Sequence, residues 1–302
     1  MRRKSFFVLA ALTVINIIFF IYRDHTRYQS YGSYQSLYAS CDAGCEKKWK
    51  KYVLGFPPNE LAAAKLLTDS IIKNEKTSLA KITRMGHFLY NRFHNRLGNP
   101  TTDLLGSTPL NQYHKLCSRD SLELWCNNFA QMFSWFCWSQ GIICRNIEIM
   151  NPGDHHVLNE CYLPEQKKWV VVDLTNNLLA LELDGNPVNL LDTRYAVKNR
   201  ISLQAIRSSG DTMVKTSLGP EERFFGAYYK KDIPLYFYHS MNYNKVQRTG
   251  YKLKSYLLPL SWYDIYLPEG GSNTGFYTRL LFIVLWIAAF FVFLGSRKKI
   301  KI

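Results

Sequence analysis

The chain has 302 residues, 47% of them hydrophobic and 15% aromatic, with a formal net charge of +15. That length allows one large domain or two small ones, and the composition is enough for a substantial core. Seven basic residues at the ends, Arg2, Arg3, Lys4, Arg297, Lys298, Lys299 and Lys301, leave +8 spread over everything between; a modestly basic surface facing anionic lipid or polymer is expected, and with no recognition motif specific nucleic-acid binding is not.

The first element is Phe6–Tyr22, almost wholly apolar and interrupted by Asn16. It is expected to be an uncleaved membrane anchor. A cleaved signal peptide is the alternative, but Arg23, Asp24 and His25 follow it in place of a small-x-small site. Leu280–Leu294 is a second apolar run, extended by Phe276 and Tyr277, with Arg279 able to snorkel; a buried core helix is its alternative. Basic residues flank the outer end of both runs. Two spans with both termini cytoplasmic and residues 23–275 on the far side are therefore expected. The organisation expected is an anchor at 1–22, a stalk at 23–57, a core at 58–177, an extension at 178–275, and a transmembrane helix with a basic tail at 276–302. Lys47–Tyr52, basic and aromatic, is expected against the membrane surface.

Within the core, Asn59 reads as the cap of a helix over Glu60–Lys73, and Ser78 as the cap of a helix ending at Gly98. Asn99–Arg119, with Pro100, Gly106 and Pro109, reads as a loop. A third helix is expected over Trp125–Gln140, stopped by Gly141. Three short strands follow: Ile142–Ile149, His156–Leu163 and Trp169–Asp173. Beyond 178 only the aromatics at Tyr236–Tyr238 and Tyr263–Tyr266 suggest strands.

Three blocks carry chemistry. Cys126 opens the third helix, which runs through Ala130 and Phe133 to Gly141 and then Arg145. A thiol at a helix N-terminus meets the positive end of the dipole and free N–H groups, which favour its nucleophilic form. His156 begins the second strand and can act as base; Asp173 ends the third and can orient it. Alternation places His156, Leu158 and Glu160 on one face and Trp169, Val171 and Asp173 on a matching one, so Asp173 should lie opposite or diagonal to His156. The same alternation turns His155 away, and argues against Asp154, His155 and His156 as a metal site. His87, His94, His114 and His239 have no partner pattern and read as surface or satisfied interior.

These blocks, in this order, resemble the transglutaminase-like superfamily over residues 75–177. The resemblance implies an α+β, papain-like fold: a nucleophile helix packed on a small antiparallel sheet. It implies Cys126, His156 and Asp173 as catalytic triad, acting through a thioester on amides by hydrolysis, deamidation or transamidation. Leu158, Leu174 and Trp125 depart from the family pattern at positions near the pocket wall, where they bear on substrate class. No cofactor or metal is implied. The expected partners are a peptide, protein or amide-bearing envelope substrate and membrane lipid. The two spans and the lack of an Asn-x-Ser/Thr sequon fit a bacterial periplasm. The rival reading is a non-catalytic module that binds an envelope partner through the same cleft.

Seven cysteines, all in the expected external region, fit six structural thiols and one nucleophile. Cys41 should bridge Cys45 across a short loop. Cys144 and Cys161 should face each other across the hairpin and bridge, which leaves Cys117 with Cys137. For the last two pairs the alternative is that they are buried small hydrophobes.

Overall fold

The computed structural model describes residues 2–21, 30–33, 41, 43–50, 58–151, 154–229, 235–238, 263–267 and 274–298. In chain order they form α1 (Arg2–Ile21), β1 (Ser30–Ser33), α2 (Ala43–Lys50), α3 (Pro58–Ile71), α4 (Ser78–Phe93), α5 (Thr102–Leu105), α6 (Pro109–Ser118) and α7 (Cys126–Ser139). There follow β2 (Cys144–Asn151), β3 (Asp154–Leu163), β4 (Lys168–Val172), β5 (Ala180–Leu183), β6 (Asn186–Pro187), α8 (Leu190–Lys198), β7 (Leu203–Ser209) and β8 (Thr212–Leu218). A π-turn at Phe225–Tyr229, β9 (Leu235–Tyr238), β10 (Tyr263–Leu267) and α9 (Thr274–Lys298) complete the order. The fold is α+β.

A six-stranded sheet has the order β1-β10-β9-β2-β3-β4, antiparallel except where β1 meets β10. Helix α7 packs on it. Its residues from Asn128 to Ser139 are all buried, because α3, α4 and α6 cover the side that the sheet leaves. A helix with large apolar and aromatic side chains on every face is stable only when enclosed in this way.

The sequence expectations differ from this in places. Asn59 lies inside α3, which starts one residue earlier at Pro58, a residue whose fixed φ suits the first helical turn. The cap of α4 is Thr77, whose side chain accepts from Ala80 N–H; Ser78 instead gives its N–H and O–H to Glu165, at 2.9 and 2.8 Å. The expected loop at 99–119 holds α5 and α6. Pro109 starts α6, and Leu110, Tyr113 and Leu116 make the buried stripe that the prolines and glycine hid.

The region beyond 178 supplies a four-stranded sheet, β6-β5-β7-β8, and two strands of the main one. The segment expected to be a stalk contributes β1 and α2. Trp49 of α2 is buried against the sheet and not available to a membrane surface: the Arg145 guanidinium stacks 5.0 Å from its ring, 3.8 Å from Trp169 and 4.9 Å from Phe237. Arg145 is fully buried and paired to Glu160 (Nε to Oε2, 2.9 Å), whose other oxygen accepts Leu190 N–H at 2.7 Å. This ion pair is tolerable in the interior because its remaining surfaces are met by aromatic faces and a helix N-terminus.

Among the described residues one helix, Tyr277–Ser296 within α9, is long and apolar enough to cross a membrane; the apolar stretch of α1, Lys4–Phe19, is shorter. The two lie antiparallel, with Phe6 near Phe293 and Phe19 near Phe282. Trp286 Nε1 donates to Thr13 Oγ1 at 2.8 Å, and Asn16 Nδ2 to the Phe282 carbonyl at 3.2 Å. The polar interruption of the first apolar run is thus spent on its neighbour. Arg279 is enclosed by protein and does not extend to solvent.

Candidate active site

Cys126 is the first residue of α7 and half-buried. As the first helical residue its backbone N–H has no intrahelical acceptor. What holds this helix end is a ladder of side-chain amides. Asn128 Oδ1 accepts Trp125 N–H at 2.9 Å, Asn128 Nδ2 donates to Gln112 Oε1 at 3.0 Å, and Gln112 Nε2 donates to Gln131 Oε1 at 3.2 Å. Gln131 in turn donates to Asn127 Oδ1, also at 3.2 Å. The ladder is buried, so each amide is costly unless satisfied; satisfied, it fixes the start of α7 against α6.

His156 lies near the start of β3. The neighbouring β4 pairs only with Asn159–Leu163, so among the described residues that edge of β3 is unpaired beside His156. The chain leaves β4 through Asp173, which caps a 3-10 turn at Leu174–Asn176 and bridges back to Leu178 by two backbone bonds of 2.8 and 2.9 Å. Asn177 takes the left-handed conformation this needs, φ 56°. Continuing the register places Asp173 diagonal to His156. His156 Nε2 and Asp173 Oδ2 are 2.7 Å apart, with both groups essentially buried. The Cys126 thiol lies close enough to the same imidazole to help raise its pKa. With Nε2 committed to the carboxylate, Nδ1 is the nitrogen left for sulfur.

Burial by itself would lower the His156 pKa; the Asp173 charge and hydrogen bond outweigh it, Cys126 adds to them, and the imidazole is pushed up to about 10. Burial would raise Asp173, but His156, Asn176 and Tyr229 together bring its pKa below the usual value. His156 therefore holds its proton at neutral pH. Such a group can protonate a leaving amine and stabilise an adjacent anionic sulfur.

Three residues at this site were not anticipated from sequence. Asn176 Nδ2 donates to Asp173 Oδ2 at 2.8 Å and the Tyr229 hydroxyl donates to the same oxygen at 3.0 Å. Tyr228 stacks on the His156 ring, centroids 4.3 Å apart and planes 23° from parallel. Asn176 follows the aspartate closely enough to be inferred from a capping pattern. Tyr228 and Tyr229 arrive from a π-turn more than fifty residues downstream, for which the sequence holds no local signal. His155 is directed away, with Nδ1 3.4 Å from Glu148 Oε1. His87 is a buried, satisfied histidine, its Nδ1 2.9 Å from Ser208 Oγ. A cavity of about 570 Å³ between α3, α4 and the β7–β8 turn is lined by Arg84, His87, Arg92 and Asp211, and none of Cys126, His156 or Asp173 borders it.

Of the expected bridges one forms: Cys41 and Cys45, Cα atoms 5.1 Å apart. Cys144 and Cys161 are directly opposite on β2 and β3, as the hairpin symmetry requires, yet both are free thiols. Cys117 does not meet Cys137. It accepts from Arg92 Nε at 3.2 Å, while Cys137 lies 3.7 Å from Cys161. The helix α6 turns Tyr113 and not Cys117 toward Phe136 of α7, which is why elimination failed.

No protein-family model and no curated protein matches the chain. A solved structure does match, “Putative Cysteine Protease from Cytophaga hutchinsonii”, at 15% identity and TM-score 0.33. The match covers 59% of this chain and 56% of that one, so it spans little more than half of that protein's length.

Proposed function

We propose that this chain is a membrane-anchored, cysteine-dependent acyl-transfer enzyme of the transglutaminase-like type that acts on amide bonds in the cell envelope. The observation that carries the reading is the buried 2.7 Å His156–Asp173 pair, with Cys126 at the start of α7 near enough to act electrostatically on the same ring. In this reading Cys126 Sγ attacks the amide carbonyl carbon while its proton resides on His156 Nδ1. The Cys126 backbone N–H is a candidate donor to the oxyanion. His156 then protonates the departing nitrogen as the C–N bond breaks, leaving a thioester. Water or an amine, deprotonated by His156, attacks the thioester and expels Cys126 as the thiolate, the proton staying on His156 as at the start. Asp173 stays ionised throughout and holds the ring. The papain-like fold, the second span and the cytoplasmic placement of both termini belong to the same proposal.

A small alkylating probe applied to the full chain in detergent tests the chemistry. Cys117, also half-buried, is the internal reference. Labelling at Cys126 at least ~10-fold faster than at Cys117, and slowed by His156→Ala, is expected. Equal rates would reject the enzyme and favour the binding module. Reporter fusions at Arg23 and at the C-terminus test the topology: opposite compartments are expected, and matching signals would reject two spans.

A further inference from the structure

We propose that Cys137, Cys144 and Cys161 form a binding site for a single thiophilic d10 cation, copper(I) or zinc(II), which ties the nucleophile helix to the hairpin bearing His156. The three thiols come from α7, β2 and β3, and all are fully buried. Their sulfurs lie within 4.8 Å of one another, and Cys137 and Cys161 are 3.7 Å apart. A metal at ~2.3 Å from each sulfur holds sulfurs ~3.8 Å apart at tetrahedral angles and ~4.0 Å apart in a trigonal plane. The thiols need only small side-chain adjustments to reach either arrangement.

Two further groups set this cluster apart from three small hydrophobes. Asn159 Nδ2 is directed at Cys144 Sγ, 3.6 Å away, while also donating to Ala130 O at 3.0 Å and Asn146 Oδ1 at 2.7 Å. Ser134 is fully buried one helical turn before Cys137, and its hydroxyl has no hydrogen-bond partner among the described residues. A buried hydroxyl left unsatisfied costs ~1–3 kcal/mol. Such a group is misplaced in a purely apolar core. It is well placed as an outer donor to a metal-bound sulfur, or as a fourth ligand to zinc.

An all-sulfur set excludes calcium and magnesium, which take oxygen ligands. It selects soft or borderline cations. Binding releases the three thiol protons. Zinc(II) then leaves a residual charge of one negative unit, and copper(I) two, for the Asn159 and Ser134 donors to meet. The cluster stands on different atoms from those of the Cys126 site, so the inference is independent of the catalytic reading.

Two of the same thiols could instead be oxidised. Tyr162 N–H donates to Ile143 O at 2.8 Å, so Cys144 and Cys161 form the adjacent non-hydrogen-bonded pair, where side chains approach closest. The experiment must separate the two outcomes. The full chain is purified in detergent under reductant, stripped with chelator, and titrated with zinc(II) and, anaerobically, with copper(I). One equivalent per chain of either cation is expected, with sulfur-to-metal absorption and three sulfurs at ~2.3 Å by X-ray absorption. Uptake by one cation alone assigns the metal. Cys144→Ser and Cys161→Ser should each abolish uptake, whereas Cys126→Ala and Cys117→Ser should retain it. If the core variants fail to fold, the X-ray absorption of wild type decides. The proposal is overturned by no stoichiometric uptake, by uptake that survives Cys144→Ser and Cys161→Ser in folded protein, or by a disulfide among the three in protein isolated without reductant.

Discussion

Cys126 and Cys137 lie on the same helix, about three turns apart. Cys126 is half-exposed and faces an imidazole held charged by a buried carboxylate. Cys137 is fully enclosed, and burial together with Cys144 pushes its thiol pKa well up. One helix therefore presents the same side chain to two opposite environments. Position along the helix decides the difference. The first turn has free N–H groups and opens at the unpaired edge of β3; the last turn is wrapped by α3, β2 and β3.

The largest effects should come from exchanging the two. Cys126→Ala should reduce acyl transfer, or alkylation at this site, by on the order of 10⁵-fold or more, with stability changed by less than ~0.5 kcal/mol. In metal-stripped protein Cys137→Ala should do the reverse: activity within a few-fold of the stripped wild type, and a loss of ~1–2 kcal/mol for the vacated core volume. Parallel kinetics and urea unfolding measure both. Comparable losses in both assays for both variants would erase the distinction.

Next in size is Asp173→Asn. Removing the charge should cost ~10²–10⁴-fold in rate, less than removing Cys126, because in the proposed mechanism Asp173 orients the base and makes no bond. It should also pull the His156 pKa down from about 10, since Asp173 is the main influence raising it. The alkaline limb of the pH–rate profile would then move to lower pH. The stability consequence has a definite sign. His156 is raised on folding, so its contribution is full below pH ~6.5, declines as pH rises, and is gone above about 10. Asp173 is lowered, so its contribution is present above its unfolded value and is lost as pH falls through the folded one. Wild type should thus lose its stability advantage over Asp173→Asn between pH ~6.5 and 10; a constant advantage across that window would contradict the pairing.

Tyr229→Phe should be milder. It removes one of the donors on Asp173 Oδ2 and should cost ~1 kcal/mol in unfolding free energy. Because that hydrogen bond helps hold the Asp173 pKa down, its loss should move the acid limb of activity to higher pH. An unmoved acid limb would reduce Tyr229 to packing. The smallest effect expected is from Tyr228→Ala, which uncovers the stacked face of His156. Alkylation of Cys126 by a bulky reagent should speed up a few-fold while a small reagent is unaffected; slowing with both would mean that Tyr228 holds the ring in place.

Much of this site was legible before any fold was known. The order of Cys126, His156 and Asp173, the stop at Gly141, and the facing of Cys144 and Cys161 follow from helix and strand periods, which are local rules. Gly141 does sit at φ 71°, where a residue without a Cβ is favoured. The boundaries that went astray, at Asn59, Ser78 and 99–119, are those where several polar or turn-forming residues compete to cap a helix and only packing selects one.

What the sequence alone determined is the side chains available on each element: a thiol opening an aromatic helix, an imidazole on one strand and a carboxylate just after the next, and two apolar runs flanked by basic residues. Tertiary structure decided the rest. It brought Tyr229 onto Asp173 and Tyr228 onto His156 from more than fifty residues away. It spent Arg145 on Glu160 inside an aromatic cage, and gathered three thiols from three elements that no spacing rule connects. Local periodicity specifies which face of an element a side chain occupies, whereas the identity of what meets that face depends on contacts whose energies are summed over the whole core.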